Sequence, residues 1–260
     1  MRALNVADVD TFKNVRFILT DMDDTLTFQG KLSADTYTAL ERLQKAGFTV
    51  IPVTAAPSGW CDQMARMWPV DGVIGENGGI FFRRQKSEPG GVKRAFWHDE
   101  DKLPSLTEQL RKLGEYVKCR VPLACFADDQ PYRLSSVAFV NPQDPHQQAM
   151  ILDALHKYGA EATVNNLWIL GWIGRYDKLE MSRKILLDYY QLDIDAEREA
   201  VLYCGDSTND APMFSFFEHT VGVSTVSEYL HQIPQPPRWI TQGPGGVGFV
   251  EIANTLIASR

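Results

Sequence analysis

Long apolar runs are missing from this 260-residue sequence, and none approaches the ~18–20 residues that a membrane-crossing helix needs. No early apolar stretch follows a basic start either, so neither a membrane anchor nor a secretory leader is expected. Cysteine is scarce: four residues, at 61, 119, 125 and 204, with no CxxC pair and no zinc-site rhythm. Reduced thiols in a cytoplasmic protein are therefore expected over disulfides or a zinc site. Runs of Lys and Arg are absent, and 26 basic against 33 acidic residues leave a formal charge of −7. That balance argues against nucleic acid as a partner. The five histidines (98, 146, 156, 219 and 231) are scattered and read as structural or solvated. There is no internal repeat and no low-complexity tract. What remains is ordinary for a globular chain: 44% hydrophobic and 23% charged residues, enough for one large core or two smaller ones, with the length favouring two lobes.

The order of elements is informative. Phe17-Ile18-Leu19-Thr20 is a short apolar run of buried-strand type. Helical spacing follows from Ser33 to Gly47, with Tyr37, Leu40 and Leu43 on one face, Ser33 able to cap the start and Gly47 the end. A strand at 48–54, in which Pro52 suits only an edge or an end, a helix at 59–67 and a strand at 70–74 complete an alternating βαβ rhythm. That rhythm implies right-handed crossovers and a parallel sheet. The polar, turn-rich segment 86–91 breaks it. Residues from about 92 to 173 mix helices around Leu106, Leu110 and Leu113 and over 146–158 with strands at 136–140, 161–164 and 167–173. Alternation resumes with a helix at 179–190, strands at 200–204, 219–223 and 239–241, and a final helix at 248–258 with Phe249, Ile252, Ala253, Leu256 and Ile257 on one stripe. The expected fold is α/β: a Rossmann-like, doubly wound parallel-sheet core from residues 1–84 and 174–260, interrupted by an inserted α+β lobe at 85–173.

Two acidic clusters directly follow expected buried strands: Asp21-Met22-Asp23-Asp24-Thr25 and Asp206-Ser207-Thr208-Asn209-Asp210. Ligands of open parallel sheets bind beyond the carboxyl ends of the strands, so both clusters are expected in one crevice; the bland reading is two acidic turns on separate surfaces. Carboxylates about 4 Å apart repel by roughly 4 kcal/mol at an effective dielectric of ~20. A crevice holding Asp21, Asp23, Asp206 and Asp210 would bind protons or recruit a cation. An all-oxygen set of this kind suits Mg²⁺, and no EF-hand spacing favours calcium.

Asp21-x-Asp23-x-Thr25, Thr54, Lys178 and Gly205-Asp206-Ser207-x-Asn209-Asp210 resemble, in the right order, the four motifs of the haloacid dehalogenase-like superfamily. About 120 residues separate the second motif from the third. This placement, with Glu76-Asn77-Gly78-Gly79 before the insert, is similar to subfamily IIB, which carries a C2-type cap and includes Cof-like, sucrose-phosphate, trehalose-phosphate and mannosyl-3-phosphoglycerate phosphatases and eukaryotic phosphomannomutases. The resemblance implies Asp21 as nucleophile forming an aspartyl-phosphate and Asp23 as general acid and base. It implies Mg²⁺ held by the Asp21 and Asp206 carboxylates and the Asp23 backbone carbonyl, with Asp210 acting through a water. Phosphate oxygens would be held by Thr54 and Lys178, with Met22, Ala55 and Asn209 completing the phosphate contacts. Taken singly, Lys178 would read as a solvated lysine and Thr54 as a strand residue. Asp24 is expected to support the turn, and Trp60, Trp68, Trp97 and Trp168 to be core rather than sugar platforms.

One departure concerns substrate contacts. Relatives commonly carry Gly and Arg after the motif threonine, whereas this chain has Ala55-Ala56-Pro57, so position 56 has no guanidinium. The implied activity is Mg²⁺-dependent hydrolysis of a small phosphate monoester, a sugar phosphate foremost, with the insert as a lid that reads the leaving group. A phosphomutase and a non-catalytic phosphate-ester-binding protein are the competing readings. Oligomeric state is not legible.

Overall fold

The computed structural model describes residues 1–85, 91–165 and 167–260. The expected boundary segment 86–91 lies outside the described residues apart from Gly91. A six-stranded sheet forms the centre, in the order Arg2–Ala3, Trp239–Ile240, His219–Gly222, Val201–Gly205, Phe17–Thr20, Thr49–Pro52, and every neighbouring pair is parallel. Thr49–Pro52 is the last strand of that order, which is why Pro52 is tolerated. The expected α/β fold class is borne out.

Alternate strand residues feed two cores, as period-2 geometry requires. Ile18, Val50 and Leu202 join Leu40 and Leu43 of the Ala34–Lys45 helix and Phe249 and Ile252 of the Gly245–Ala258 helix. Leu19, Ile51 and Tyr203 face the other way, toward Ile185 of the Lys178–Tyr190 helix and Phe214 of Ala211–Phe216. Ser33 caps the first helix as expected, its hydroxyl accepting from Thr36 N–H at 3.1 Å.

The strand expected at 70–74 forms instead at Val73–Gly75. Asp71 is diverted into the turn, where its carboxylate accepts from Val50 N–H at 2.9 Å and its own N–H donates to the Val50 carbonyl at 2.8 Å. Nor does the chain leave the core at 85. Val92–Phe96 pairs antiparallel with Ile80–Arg84, and Val92, Ala95 and Phe96 pack on the two main cores.

The second lobe is built from Leu103–Arg120, Pro145–Tyr158 and an antiparallel sheet ordered Glu161–Val164, Trp168–Trp172, Ser136–Val140. It has a core of its own, including Leu106, Leu113, Phe139, Ile151, Leu155 and Ile169. Leu170 and Trp172 join Ala55 and Tyr176 in a small cluster that seats this lobe on the first. Of the four tryptophans expected in the core, Trp68, Trp97 and Trp168 pack against it, but Trp60 is 48% exposed. No helix among the described residues is long and apolar enough to cross a membrane.

Candidate active site

The sheet reverses its winding between Phe17–Thr20 and Val201–Gly205, and a crevice opens beyond their carboxyl ends. The register Thr20↔Cys204 sets the residues after each strand side by side, and Asp21 N–H donates to the Cys204 carbonyl at 2.9 Å. Asp21 and Asp206, 185 positions apart, therefore leave the sheet together. The Met22 carbonyl accepts from Leu26 and Thr27 N–H, both at 2.9 Å, curling the chain back under Asp21. Asp24 adopts φ 54° and its carboxylate accepts from Gln29 N–H at 3.1 Å, the turn-supporting place expected for it.

Asp210 organises the second loop. One carboxylate oxygen accepts from Asp206 N–H at 2.9 Å and Ser207 N–H at 3.1 Å. The other accepts from Lys178 Nζ at 2.7 Å and from the Tyr203 hydroxyl. Glycine is required at 205, because a Cβ there would lie 2.3 Å from Asp210 Oδ2. The Thr25 hydroxyl donates to Asp206 Oδ1 at 3.0 Å and ties the two loops together.

Lys178 starts its helix immediately after the capping Asp177. Gly78 admits the loop segment that delivers it: at φ +112°, a Cβ would meet the Asp177 carbonyl oxygen at 2.2 Å. The buried ammonium reaches Asp21 Oδ1 at 2.6 Å and Asp210 Oδ1 at 2.7 Å. Burial works against its charge, but those two carboxylates outweigh burial and hold its pKa above the ordinary lysine range.

One carboxylate oxygen from each of Asp21, Asp206 and Asp210 lies within 4.8 Å of the others. Three carboxylates against one ammonium leave a formal excess of two negative charges. Burial pushes Asp21 up to about 7, with Lys178 opposing and Asp210 and Asp23 adding to the rise. Asp206 is raised by burial first and then by the charges of Asp21 and Asp210. Burial followed by the charge of Asp24 takes the partly buried Asp23 to about 6. A site whose carboxylates resist ionisation in this way fits a hard divalent cation bound through oxygen.

The cavity here has a volume of about 300 Å³, at the small end for small-molecule sites. Asp21, Asp23, Asp206 and Asn209 form its floor, Ala55 one wall, and Asn165 and Leu167 of the second lobe reach in from above. The Met22 side chain belongs to the core, so only its backbone can face a ligand. Thr54 is fully buried beside Ala55, and its hydroxyl accepts from Ala56 N–H at 3.0 Å. The structure thus brings Asp21, Asp23, Lys178, Asp206, Asn209 and Asp210 to one crevice, with Thr54 and Ala55 on its flank.

Sequence reasoning missed Tyr203 and the tying role of Thr25. Tyr203 looks like any aromatic strand residue, although its period-2 position places it on the Asp210 side of the sheet. Asp129 and Arg133 were missed too, and Glu76, although part of the motif before the insert, carries cross-lobe contacts that its motif does not signal. Arg133 forms a buried fork with Asp129, Nε at 3.0 Å and Nη2 at 2.7 Å, and Nη1 reaches the Ala55 carbonyl at 3.0 Å. Nothing local to these residues signals contacts so distant in sequence.

Comparisons with known proteins bear on the family and the fold. No curated protein matches the sequence. Among solved structures, the chain is similar to Thermoplasma acidophilum 0175 (TM-score 0.72, 20% identity, covering 94% of this chain and 99% of that one). It is also similar to the C-terminal domain of trehalose-6-phosphate phosphatase from C. albicans (0.67, 13%, 98% of each). A third likeness is to sucrose-phosphatase from Synechocystis sp. PCC6803, solved with sucrose and phosphate (0.64, 17%, 92% and 97%). These likenesses concern the fold over nearly the whole chain. The sequence profile of the haloacid dehalogenase-like hydrolases matches residues 18–168, more than half of the chain, and the chain belongs to this family.

Proposed function

We propose that the protein is a Mg²⁺-dependent phosphatase acting on a small phosphate monoester, a sugar phosphate foremost, through an aspartyl-phosphate on Asp21. The observation that carries the reading is the meeting of Asp21, Asp206 and Asp210 oxygens within 4.8 Å, with Lys178 bridging Asp21 and Asp210. The fold likeness to sugar-phosphate phosphatases supports the substrate class. Four free cysteines support a cytoplasmic setting.

Asp21 attacks the phosphorus, forming an O–P bond as the bond to the leaving oxygen breaks. Asp23 gives its proton to that oxygen, then takes one from the water that attacks the phosphoryl-aspartate and releases phosphate. Lys178 and the Thr54 hydroxyl hold the non-bridging oxygens, and Ala55 and Asn209 border the same space. The Asp21 and Asp206 carboxylates and the Asp23 carbonyl would hold Mg²⁺, with Asp210 acting through a water, and the bound ion would supply positive charge to the phosphoryl oxygens. The lobe from Leu103 to Trp172 acts as the lid, shielding the reaction from bulk water and contacting the leaving group through Asn165 and Leu167.

The test is turnover of p-nitrophenyl phosphate and a panel of sugar phosphates with and without Mg²⁺. Metal-dependent phosphate release is the expected result; no release from any ester would sink the reading. Lys178→Met should lower kcat/KM by about 100-fold or more. Because it also strands Asp21 and Asp210 without their counter-charge, its metal-free melting temperature should fall. A variant with wild-type kcat/KM would remove Lys178 from the mechanism.

A further inference from the structure

The peptide joining Ala55 to Ala56 is gripped from both edges. Its carbonyl accepts from Arg133 Nη1 at 3.0 Å, and its N–H donates to the Thr54 hydroxyl at 3.0 Å. Arg133 comes from the lid side, 78 residues on, with no solvent exposure of its side chain. Three more of its N–H groups are engaged: Nε and Nη2 on Asp129, and the second Nη1 proton on Ser136 Oγ at 3.3 Å. Ser136 Oγ in turn donates to Glu76 at 2.7 Å. The guanidinium is therefore fixed in place rather than resting on the surface of the loop.

That grip has a chemical consequence. In a trans peptide the C=O and N–H point to opposite sides, and a charged donor on the carbonyl polarises the amide and strengthens its N–H as a donor. A threonine hydroxyl has one proton to give. Once its oxygen accepts from Ala56 N–H, that proton is left for a ligand. Thr54 sits one residue beyond Val53, whose N–H donates to the Thr20 carbonyl at 2.7 Å, so the hydroxyl belongs to the same end of the sheet as Asp21. Position 56 is an alanine with no guanidinium of its own, and the one reaching this peptide is supplied from the lid.

We propose that Arg133 is a positioning residue for phosphoryl binding: through the Ala55–Ala56 peptide it sets the Thr54 hydroxyl as a donor, so the phosphate clamp is complete only when the lid is seated. The inference rests on reading the Asp21 crevice as a phosphoryl site. A buried Arg–Asp pair that only held the lobes together could be exchanged for apolar side chains at little cost. A relay to Thr54 could not.

The experiment is a double-mutant cycle on the affinity of inorganic phosphate, measured calorimetrically with Mg²⁺. It compares the wild-type protein, Thr54→Val, the paired variant Arg133→Met/Asp129→Met, and all three substitutions together. Replacing both members of the pair avoids stranding a buried charge, and circular dichroism with a melting curve checks folding. Each arm should weaken phosphate by roughly 10-fold, and the combination by about the same factor rather than the ~100-fold of independent effects. Unchanged affinity in the folded pair variant, or a multiplicative loss, overturns the proposal. Should the pair variant not fold, Arg133→Lys takes its place in the cycle under the same criteria. Phosphate binding without turnover in the wild type would refute the phosphatase reading while leaving the cycle readable; a wild type that binds no phosphate refutes both.

Discussion

Asp21→Asn is expected to lower kcat/KM for p-nitrophenyl phosphate by about 10⁴-fold or more, and to make the metal-free protein more stable at alkaline pH. The two effects have one cause. The amide keeps the size of the side chain and can still hydrogen-bond Lys178, but its oxygen is a poor nucleophile and no phosphoryl-aspartate forms. In stability the same change relieves repulsion. Folding raises the Asp21 pKa to about 7, with burial the largest cause, so the folded state binds this proton more tightly than the unfolded chain does. Stability from a raised carboxyl is fully present below the unfolded value near 3.8 and is lost as pH rises through about 7. In chelator, wild-type melting temperature should thus decline across that window. The Asn variant, neutral throughout, should lose less and melt higher than wild type at pH 8, with the gap closing toward pH 4. Excess Mg²⁺ should reverse the order by stabilising the wild type selectively. An inactive variant that also melts lower in chelator at pH 8 would mean that activity was lost through misfolding, and the nucleophile assignment would lose its support.

What could be read in the sequence was whatever is encoded locally. Phe17–Thr20 and Val201–Gly205 are continuous apolar runs because both faces of a central parallel strand are covered, and the acidic residues ending them mark the crevice. Helices whose buried stripes repeat every three or four residues were found nearly in place. The last one begins at Gly245 rather than 248, since the glycines of its first turn hide the periodicity. The strand at Val73–Gly75 was displaced in the reading because Val70 continues the apolar pattern while Asp71 is tied to Val50. Trp60 was expected inside because tryptophan is apolar, yet it lies on the exposed side of its helix. The junction between the lobes was not legible at all. Its contacts join positions 55 to 133 and 76 to 134–136, and hydrogen bonds over such separations impose no local spacing.

Glu76 is the centre of that junction, and Glu76→Leu should cost about 4 kcal/mol of stability, lowering the melting temperature by roughly 10 °C. The carboxylate is fully buried and accepts six hydrogen bonds. From the core side, Ser58 gives its N–H at 3.1 Å and its hydroxyl. From the lid side come Leu134 N–H and Ser135 N–H, both at 2.8 Å, with the hydroxyls of Ser135 and Ser136. Hydroxyls can rotate to other acceptors, but the backbone N–H groups cannot, and those of the buried Ser58 and Ser135 would each cost about 1–3 kcal/mol as orphans. The backbone adds to the dependence: Glu76 and Asn77 both hold left-handed φ, 48° and 57°, a conformation kept only where neighbours over-determine it. Glu76→Gln should fall between leucine and wild type, because the amide keeps one acceptor while its NH₂ faces groups that themselves donate. The loss should also be localised. Limited proteolysis of Glu76→Leu should cut near 133–136 well below the melting temperature, since that segment loses its partners while the helices of each lobe keep theirs. A Glu76→Leu protein melting within about 2 °C of wild type would show that the lobes are seated without Glu76, by the Ala55, Leu170, Trp172 and Tyr176 cluster and the Arg133 contact with Ala55.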